Sequence, residues 1–356
     1  MKLADKLQRP HLAELVPYAS ARRSMSGGNV WLNANESPYC NSYQLDDSQL
    51  NRYPAFQSSA LNQAYADYAG VEQDQVMSCR GSDEAIELLI RAFCEPARDA
   101  VVICPPTYGM YAISAQTHGA EVIEVPLLQD NWQLDMTALI ARAAAAKLVF
   151  LCSPSNPLGQ RLAAEDLHRV LTECPDTLVV VDEAYIEFCP QASVAQQLNQ
   201  YPNLVVLRTL SKAFALAGAR CGFALANSDV INVLKKVLAP YPLPDLTVQV
   251  ATQALSQQGL QRLTQQVSAL VTERERLTSA LEPLPMRRIA DSDTNFLLYA
   301  VDNAEQLIQA LAGQGILIRN QSAQRNLPSC VRISIGDEAQ NQALLNELND
   351  YFGVSA

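Results

Sequence analysis

Residues 209–220 read Thr209-Leu210-Ser211-Lys212-Ala213-Phe214-Ala215-Leu216-Ala217-Gly218-Ala219-Arg220; they follow the apolar run Leu204-Val205-Val206-Leu207 and precede Gly222-Phe223-Ala224-Leu225-Ala226. A single lysine is thereby placed among small and apolar residues between two strand-like runs. A lysine deprived of water gives up its proton more easily, and a neutral amine can attack a carbonyl and hold it covalently. Most lysines between strands are solvated surface charges. Taken alone the stretch favours that plainer reading, so the decision rests on its company.

Outward from this stretch, short apolar runs recur near 75–79, 100–104, 121–125, 148–152, 178–181, 204–208 and 222–226. A helical pattern over 58–69 comes before them, and others lie between most of them, over 83–94, 108–118 and 163–173; these are stopped by Gly70, Pro96, Gly119 and Pro175. This rhythm predicts an α/β fold with a mostly parallel central sheet covered by helices on both faces. Ligands in such sheets sit beyond the carboxyl ends of the strands. The segment Pro240-Tyr241-Pro242-Leu243-Pro244 cannot continue a helix and reads as a linker. Beyond it Leu260, Leu263, Val267, Leu270, Val271 and Leu277 mark one helical stripe. Strands near 294–299, 316–319 and 331–335 then alternate with helices over 303–312 and 338–352. The expected organisation is an N-terminal arm over 1–29, a large domain over 30–244 and a smaller α+β domain over 245–356.

Bulk properties narrow the function. A chain of 356 residues, 49% hydrophobic and 18% charged, can bury a sizeable core. A formal net charge of −11 argues against nucleic acid or an anionic membrane as partner, so an anionic substrate must be caught by a few local arginines. The nine cysteines show no zinc spacing and read as buried free thiols of a reducing compartment. His11, His118 and His168 are far apart and lack acidic neighbours at ligand spacing, so no metal is expected. Neither a signal-peptide core in the first 23 residues nor a membrane-length apolar run is found, and the expected location is the cytoplasm.

The residues that follow the strands carry the chemistry. Asp182 ends Leu178-Val179-Val180-Val181, where a buried carboxylate needs a cation; an arginine partner or a helix N-cap competes evenly with a protonated ring nitrogen. Tyr185 can bring a phenol to the same place. In Ser153-Pro154-Ser155-Asn156-Pro157-Leu158-Gly159 the prolines hold the Asn156 amide still. Cys79-Arg80-Gly81-Ser82-Asp83-Glu84 opens a helix whose free N–H groups can seat a phosphate, although Ser82 is also an ordinary N-cap. Tyr108, after Pro105-Pro106-Thr107, can stack on a flat ring or simply fill the core. An amine, a buried carboxylate, a phenol, an amide, an aromatic face and a phosphate seat match group for group what pyridoxal 5′-phosphate presents. Arg332 alternates with Val331 and Ile333 on its strand, facing either a site or solvent.

At this point the chain resembles the fold-type I pyridoxal-phosphate aminotransferases. The likeness is carried by the stretch 209–218, by Leu32-Asn33-Ala34-Asn35-Glu36, Arg52-Tyr53-Pro54, Arg80-Gly81-Ser82-Asp83-Glu84, Pro105-Pro106-Thr107-Tyr108-Gly109, Val181-Asp182-Glu183-Ala184-Tyr185 and Val331-Arg332-Ile333. The resemblance implies that Lys212 bonds to the cofactor aldehyde, that Asp182 pairs with the ring nitrogen, that Asn156 and Tyr185 contact the ring oxygen, and that Tyr108 stacks on the ring. It assigns the cofactor phosphate to the backbone at Gly81, Ser82 and Asp83, to Thr209, Ser211 and Arg220, and to Tyr53 of a neighbouring subunit, which makes a homodimer a requirement of the site. Arg319 and Arg332 become the substrate anion clamps, with Tyr18 covering the substrate. The branch most alike implies amino exchange between glutamate and a phosphorylated imidazole ketone. The rivals are an aromatic or broad-specificity aminotransferase, a phosphoamino-acid decarboxylase, and a non-catalytic module that kept the fold. Ser155 and Leu158 depart from the usual asparagine and threonine, and segment 320–329 departs most.

Overall fold

The structure is a computed structural model and describes residues 2–17, 23, 25 and 27–354. Runs such as Leu178-Val179-Val180-Val181 carry no polar side chain, so their backbone must be paired on both edges and both faces must be covered. Chain order gives α1 (Leu3–Leu7), β1 (Val30–Leu32), α2 (Ser59–Ala69), β2 (Val76–Cys79), α3 (Gly81–Phe93), β3 (Ala100–Ile103), α4 (Met110–His118) and β4 (Glu121–Glu124). Next come α5 (Met136–Ala143), β5 (Leu148–Cys152), α6 (Ala164–Glu173), β6 (Leu178–Asp182), β7 (Leu204–Thr209), β8 (Gly222–Ala226), α7 (Ser228–Val237) and α8 (Asp245–Ala254). The chain finishes with α9 (Gln257–Leu281), β9 (Arg287–Arg288), β10 (Phe296–Ala300), α10 (Ala304–Gly313), β11 (Ile316–Asn320), β12 (Cys330–Ser334) and α11 (Glu338–Phe352).

The seven-stranded sheet has the order β2-β8-β7-β6-β5-β3-β4. Its neighbours run parallel from β7 to β4, and β8 lies antiparallel to both β2 and β7. Alternation along each strand divides the apolar side chains between two faces. Val179 and Val181 join Val149, Leu151 and Val206 in one cluster, whereas Val180 joins Phe150, Val205 and Leu207 in the other. Helices α3, α4 and α7 cover the second face through Ile86, Tyr111 and Ile231. Each fully buried valine or leucine contributes about 1.5–3 kcal/mol, so the continuous runs commit these strands to the centre. Helix ends follow local chemistry: the Ser58 hydroxyl accepts the Leu61 N–H at 3.3 Å to start α2, and Gly70 at φ 70° stops it.

The second sheet has the order β1-β11-β12-β10-β9. Leu263, Leu270 and Leu277 lie buried along α9, as the stripe predicts. One boundary needs correction. Residue 30 was expected to open the large domain, yet Val30–Leu32 pairs in parallel with Ile316, Leu317 and Ile318 at the edge of the second sheet. A three-residue strand shows no period of its own, and its place is set by a partner far along the chain. The chain then turns into the cleft between the two sheets.

Candidate active site

The strand ends gather the site. Cys152 on β5 stands beside Asp182 on β6, which stands beside Leu207 on β7, so residues just beyond these positions face one cavity of about 490 Å3. Lys212 reaches it from the loop after β7, where its Nζ donates to the Ala34 carbonyl at 3.0 Å and lies 5.8 Å from the centre of the Tyr185 ring. Burial, helped by the positive charge of Arg332, pulls the Lys212 pKa down to about 8. The opposite displacement occurs at Asp182, which is 2% exposed and raised by burial to about 6. Its carboxylate accepts from the Tyr111 hydroxyl at 2.7 Å and from the Ala184 N–H at 3.1 Å. The Tyr185 hydroxyl accepts from Asn35 Nδ2 at 2.9 Å, and burial pushes its pKa up.

An anion seat forms where α3 begins. Gly81 has φ 76°, and a Cβ there would stand 2.8 Å from Arg220 Nη2. A Cβ on Gly222 would meet the Ser82 nitrogen at 2.5 Å, so glycine lets the start of β8 lie against the helix N-terminus. The helical pattern was expected from residue 83; the helix opens at Gly81, and the Glu84 carboxylate accepts the Arg80 N–H at 2.6 Å. N–H groups in the first turn of a helix have no partner within it and favour an anion. Arg220 donates to the Ser211 hydroxyl at 3.3 Å and pairs with Asp83 at 3.3 Å, while the Thr209 hydroxyl donates to Ser211 at 2.9 Å. Tyr108 donates to Asp83 at 2.9 Å, which turns its ring along the cavity wall.

The opposite wall comes from the second sheet. Arg319 and Arg332 lie directly across from each other on β11 and β12, and both line the cavity. Arg332 is buried, donates to Asn156 Oδ1 and to the Asn33 carbonyl, and packs over Phe296, so its strand face is no solvated surface. Like charges directly opposite on adjacent strands are unfavourable, and an anionic ligand between them offsets that repulsion.

The structure therefore brings together Ser82, Asp83, Tyr108, Asn156, Asp182, Tyr185, Thr209, Ser211, Lys212, Arg220, Arg319 and Arg332 around one cavity, with Gly81 just behind. Tyr53 lies elsewhere: it is 81% exposed and stacked on Tyr241 with ring centres 4.4 Å apart. Tyr18 lies outside the described residues. Two contributors were given no role from sequence, although the motif 32–36 was among those that carry the resemblance. The loop Asn33-Ala34-Asn35 holds Arg332, Lys212 and Tyr185 at once, with Asn35 at φ 54°, and its dense polar residues were the available signal. Tyr111 looked like any core tyrosine on a helix.

The fold and site define a class. The profile of the aminotransferase class I and II family matches residues 27–348, and the chain belongs to that family. Within it, the chain is 62% identical over 356 residues to histidinol-phosphate aminotransferase 2 of Idiomarina loihiensis, covering 99% of this chain and 100% of that protein. It is 49% identical to the histidinol-phosphate aminotransferase of Escherichia coli strain K12, covering 96% of each. Among solved structures, histidinol-phosphate aminotransferase from Sinorhizobium meliloti in complex with pyridoxal-5′-phosphate shares the fold, with a TM-score of 0.82 at 24% identity over 98% of each chain.

Proposed function

We infer that this chain is a histidinol-phosphate aminotransferase that uses pyridoxal 5′-phosphate. It exchanges an amino group between glutamate and imidazole-acetol phosphate, yielding 2-oxoglutarate and histidinol phosphate, a step of histidine biosynthesis. The observation that carries this reading is an amine with pKa lowered to about 8 sharing one cavity with a buried carboxylate and a cross-strand arginine pair. Full-length identity of 62% to a protein of that name supports the substrate.

The residues fit the cofactor on chemical grounds. Asp182 is a carboxylate pushed toward neutrality by burial, and a cationic ring nitrogen favours its charged form. Arg220, Ser211 and the α3 N-terminus offer charge and donors to a phosphate. When bound, pyridoxal phosphate supplies an aldehyde that takes up the amino group and a protonated ring that draws electrons from the substrate α-carbon. The Lys212 Nζ, whose proton burial makes easier to give up, takes the α-proton and later returns it as general base and acid. Asp182 keeps its negative charge against the ring, and Tyr185 and Asn156 offer hydrogen bonds to the ring oxygen. Arg332 holds the substrate carboxylate or phosphate through two parallel N–H donors, with Arg319 beside it.

The assignment of these roles is our proposal, as are three further points. Tyr53 serves the phosphate of a second subunit's site in a homodimer; its exposed, stacked ring is available for that contact. Tyr18 covers the substrate. The enzyme works in the cytoplasm, a reading supported by nine free cysteines, eight of them buried, and compatible with the lack of any described helix long and apolar enough to cross a membrane. The test is an amino-transfer assay of the cofactor-loaded protein with histidinol phosphate and 2-oxoglutarate, run beside phenylalanine and monitored for carbon dioxide. Rapid glutamate formation from histidinol phosphate is expected; preference for phenylalanine, or carbon dioxide release, would contradict the reading.

A further inference from the structure

Tyr111 is fully buried, and the chemistry described so far does not use it. Sheet parity explains where it sits. Phe150 and Val180 point to the face covered by α4, so Cys152 and Asp182, two residues further along their strands, point to that face as well. Tyr111, near the start of α4, stacks on Phe150 with ring centres 4.9 Å apart and an interplanar angle of 10°. That stack aims its hydroxyl at Asp182 Oδ2, 2.7 Å away. Its ring edge also meets Tyr108 at 5.6 Å and 87°, and Tyr108 lines the cavity wall. One side chain thus touches both the carboxylate and the aromatic wall from behind, without itself lining the cavity.

From this geometry we propose that Tyr111 is a positioning residue of the transamination site: its hydroxyl fixes the Asp182 carboxylate in its charged form and orientation, and its ring sets the tilt of Tyr108. The proposal rests on the functional reading above, in which Asp182 meets a protonated ring nitrogen. The Ala184 N–H holds Oδ1 and the Tyr111 hydroxyl holds Oδ2 from behind, which fixes the carboxylate plane and leaves its remaining lone pairs for the cavity side. The other titratable groups that act on Asp182 are Asp83 on α3, Cys152 on β5, Tyr185 after β6 and its own neighbour Glu183. None of these donates a hydrogen bond to the carboxylate among the described residues, whereas Tyr111 does and thereby favours its charge. A buried hydrogen bond to a charged group is also the kind whose loss is most costly.

The experiment uses the full-length holoenzyme and its resolved apoprotein, with pyridoxal phosphate as probe. Tyr111→Phe keeps the ring stack and removes only the donor. The pyridoxal phosphate dissociation constant of the apoprotein is expected to rise roughly tenfold or more. The pH below which affinity is lost should move upward, because losing the donor raises the pKa of Asp182. Turnover should fall with the KM for glutamate unchanged. In a double-mutant cycle, Tyr111→Phe added to Asp182→Asn should have little further effect on cofactor affinity, which a merely structural tyrosine would not produce. Should Tyr111→Phe fold poorly, 3-fluorotyrosine at position 111, a stronger donor of nearly the same shape, should move the acid limb to lower pH. Wild-type cofactor uptake with unchanged affinity and pH limb in the variants would overturn this proposal alone. A wild type that takes up no cofactor would overturn the functional reading and this proposal with it.

Discussion

Lys212 and Asp182 share a cavity, yet burial displaces their titrations in opposite directions, the amine down to about 8 and the carboxylate up to about 6. Both shifts favour the neutral form, so each residue is held at some cost to the apoprotein. For Asp182 the sign follows from proton counting. Between its unfolded value near 4 and its folded value of about 6, the native state binds more protons, and stability falls as pH rises through that window. Asp182→Asn removes this penalty. The apo variant should be more stable than wild type at pH 7 by about 1–3 kcal/mol, with the difference fading below about pH 4, while transamination is lost. Urea titrations of both apoproteins across pH measure this directly, and a less stable variant at pH 7 would contradict it. At this scale the sequence already exposed Lys212 and Asp182, because each ends or follows a continuous apolar run. It hid Tyr111, whose partner lies 71 residues away, since nothing in its helix pattern separates a hydrogen-bonding tyrosine from a packing one.

The elements that carry these residues are locked from the other face. Glu183 and Arg208 point away from the cavity at the ends of β6 and β7, and Arg208 Nε donates to Glu183 Oε2 at 2.7 Å with both side chains buried. Arg208 also donates to Ser193 and lies 3.8 Å from Glu187, whose pKa burial raises to about 7. Removing one member of a buried pair leaves an uncompensated charge. Arg208→Ala should therefore destabilise the fold by about 3–5 kcal/mol, read as a lower urea midpoint at unchanged slope. A change under about 1 kcal/mol would show that the pair is solvated in solution. Strand existence in the large sheet was legible from four- and five-residue apolar runs, because parallel strands buried on both faces admit little else. The place of β1 was not, for Val30-Trp31-Leu32 takes its register from Ile316–Ile318 and not from its neighbours in sequence.

For the molecule as a whole, a net charge of −11 leaves anion capture to local cations, and the cavity concentrates Lys212, Arg220, Arg319 and Arg332. Leu45, Leu50, Tyr53, Phe56 and Tyr241 are all exposed, and the proposed homodimer would cover them. If Tyr53 serves the neighbouring site, subunits carrying Tyr53→Ala and subunits carrying Lys212→Ala should complement each other. Random mixing would restore on the order of a quarter of wild-type activity, since half the dimers would hold one intact site of two. Mixed populations no more active than either parent would place Tyr53 outside the shared site. A dimer contact of this kind leaves little trace in one chain's sequence beyond an exposed tyrosine beside a proline.

The central claim is that the Lys212 amine bonds covalently to pyridoxal phosphate. Borohydride reduction of the cofactor-loaded protein, followed by proteolysis and mass spectrometry of the peptides, tests it most directly. The account predicts a single pyridoxyl-phosphate modification on the peptide bearing Lys212, absent from a Lys212→Ala variant that remains folded. Modification of a different lysine, or none in a protein that still transfers amino groups, would contradict it.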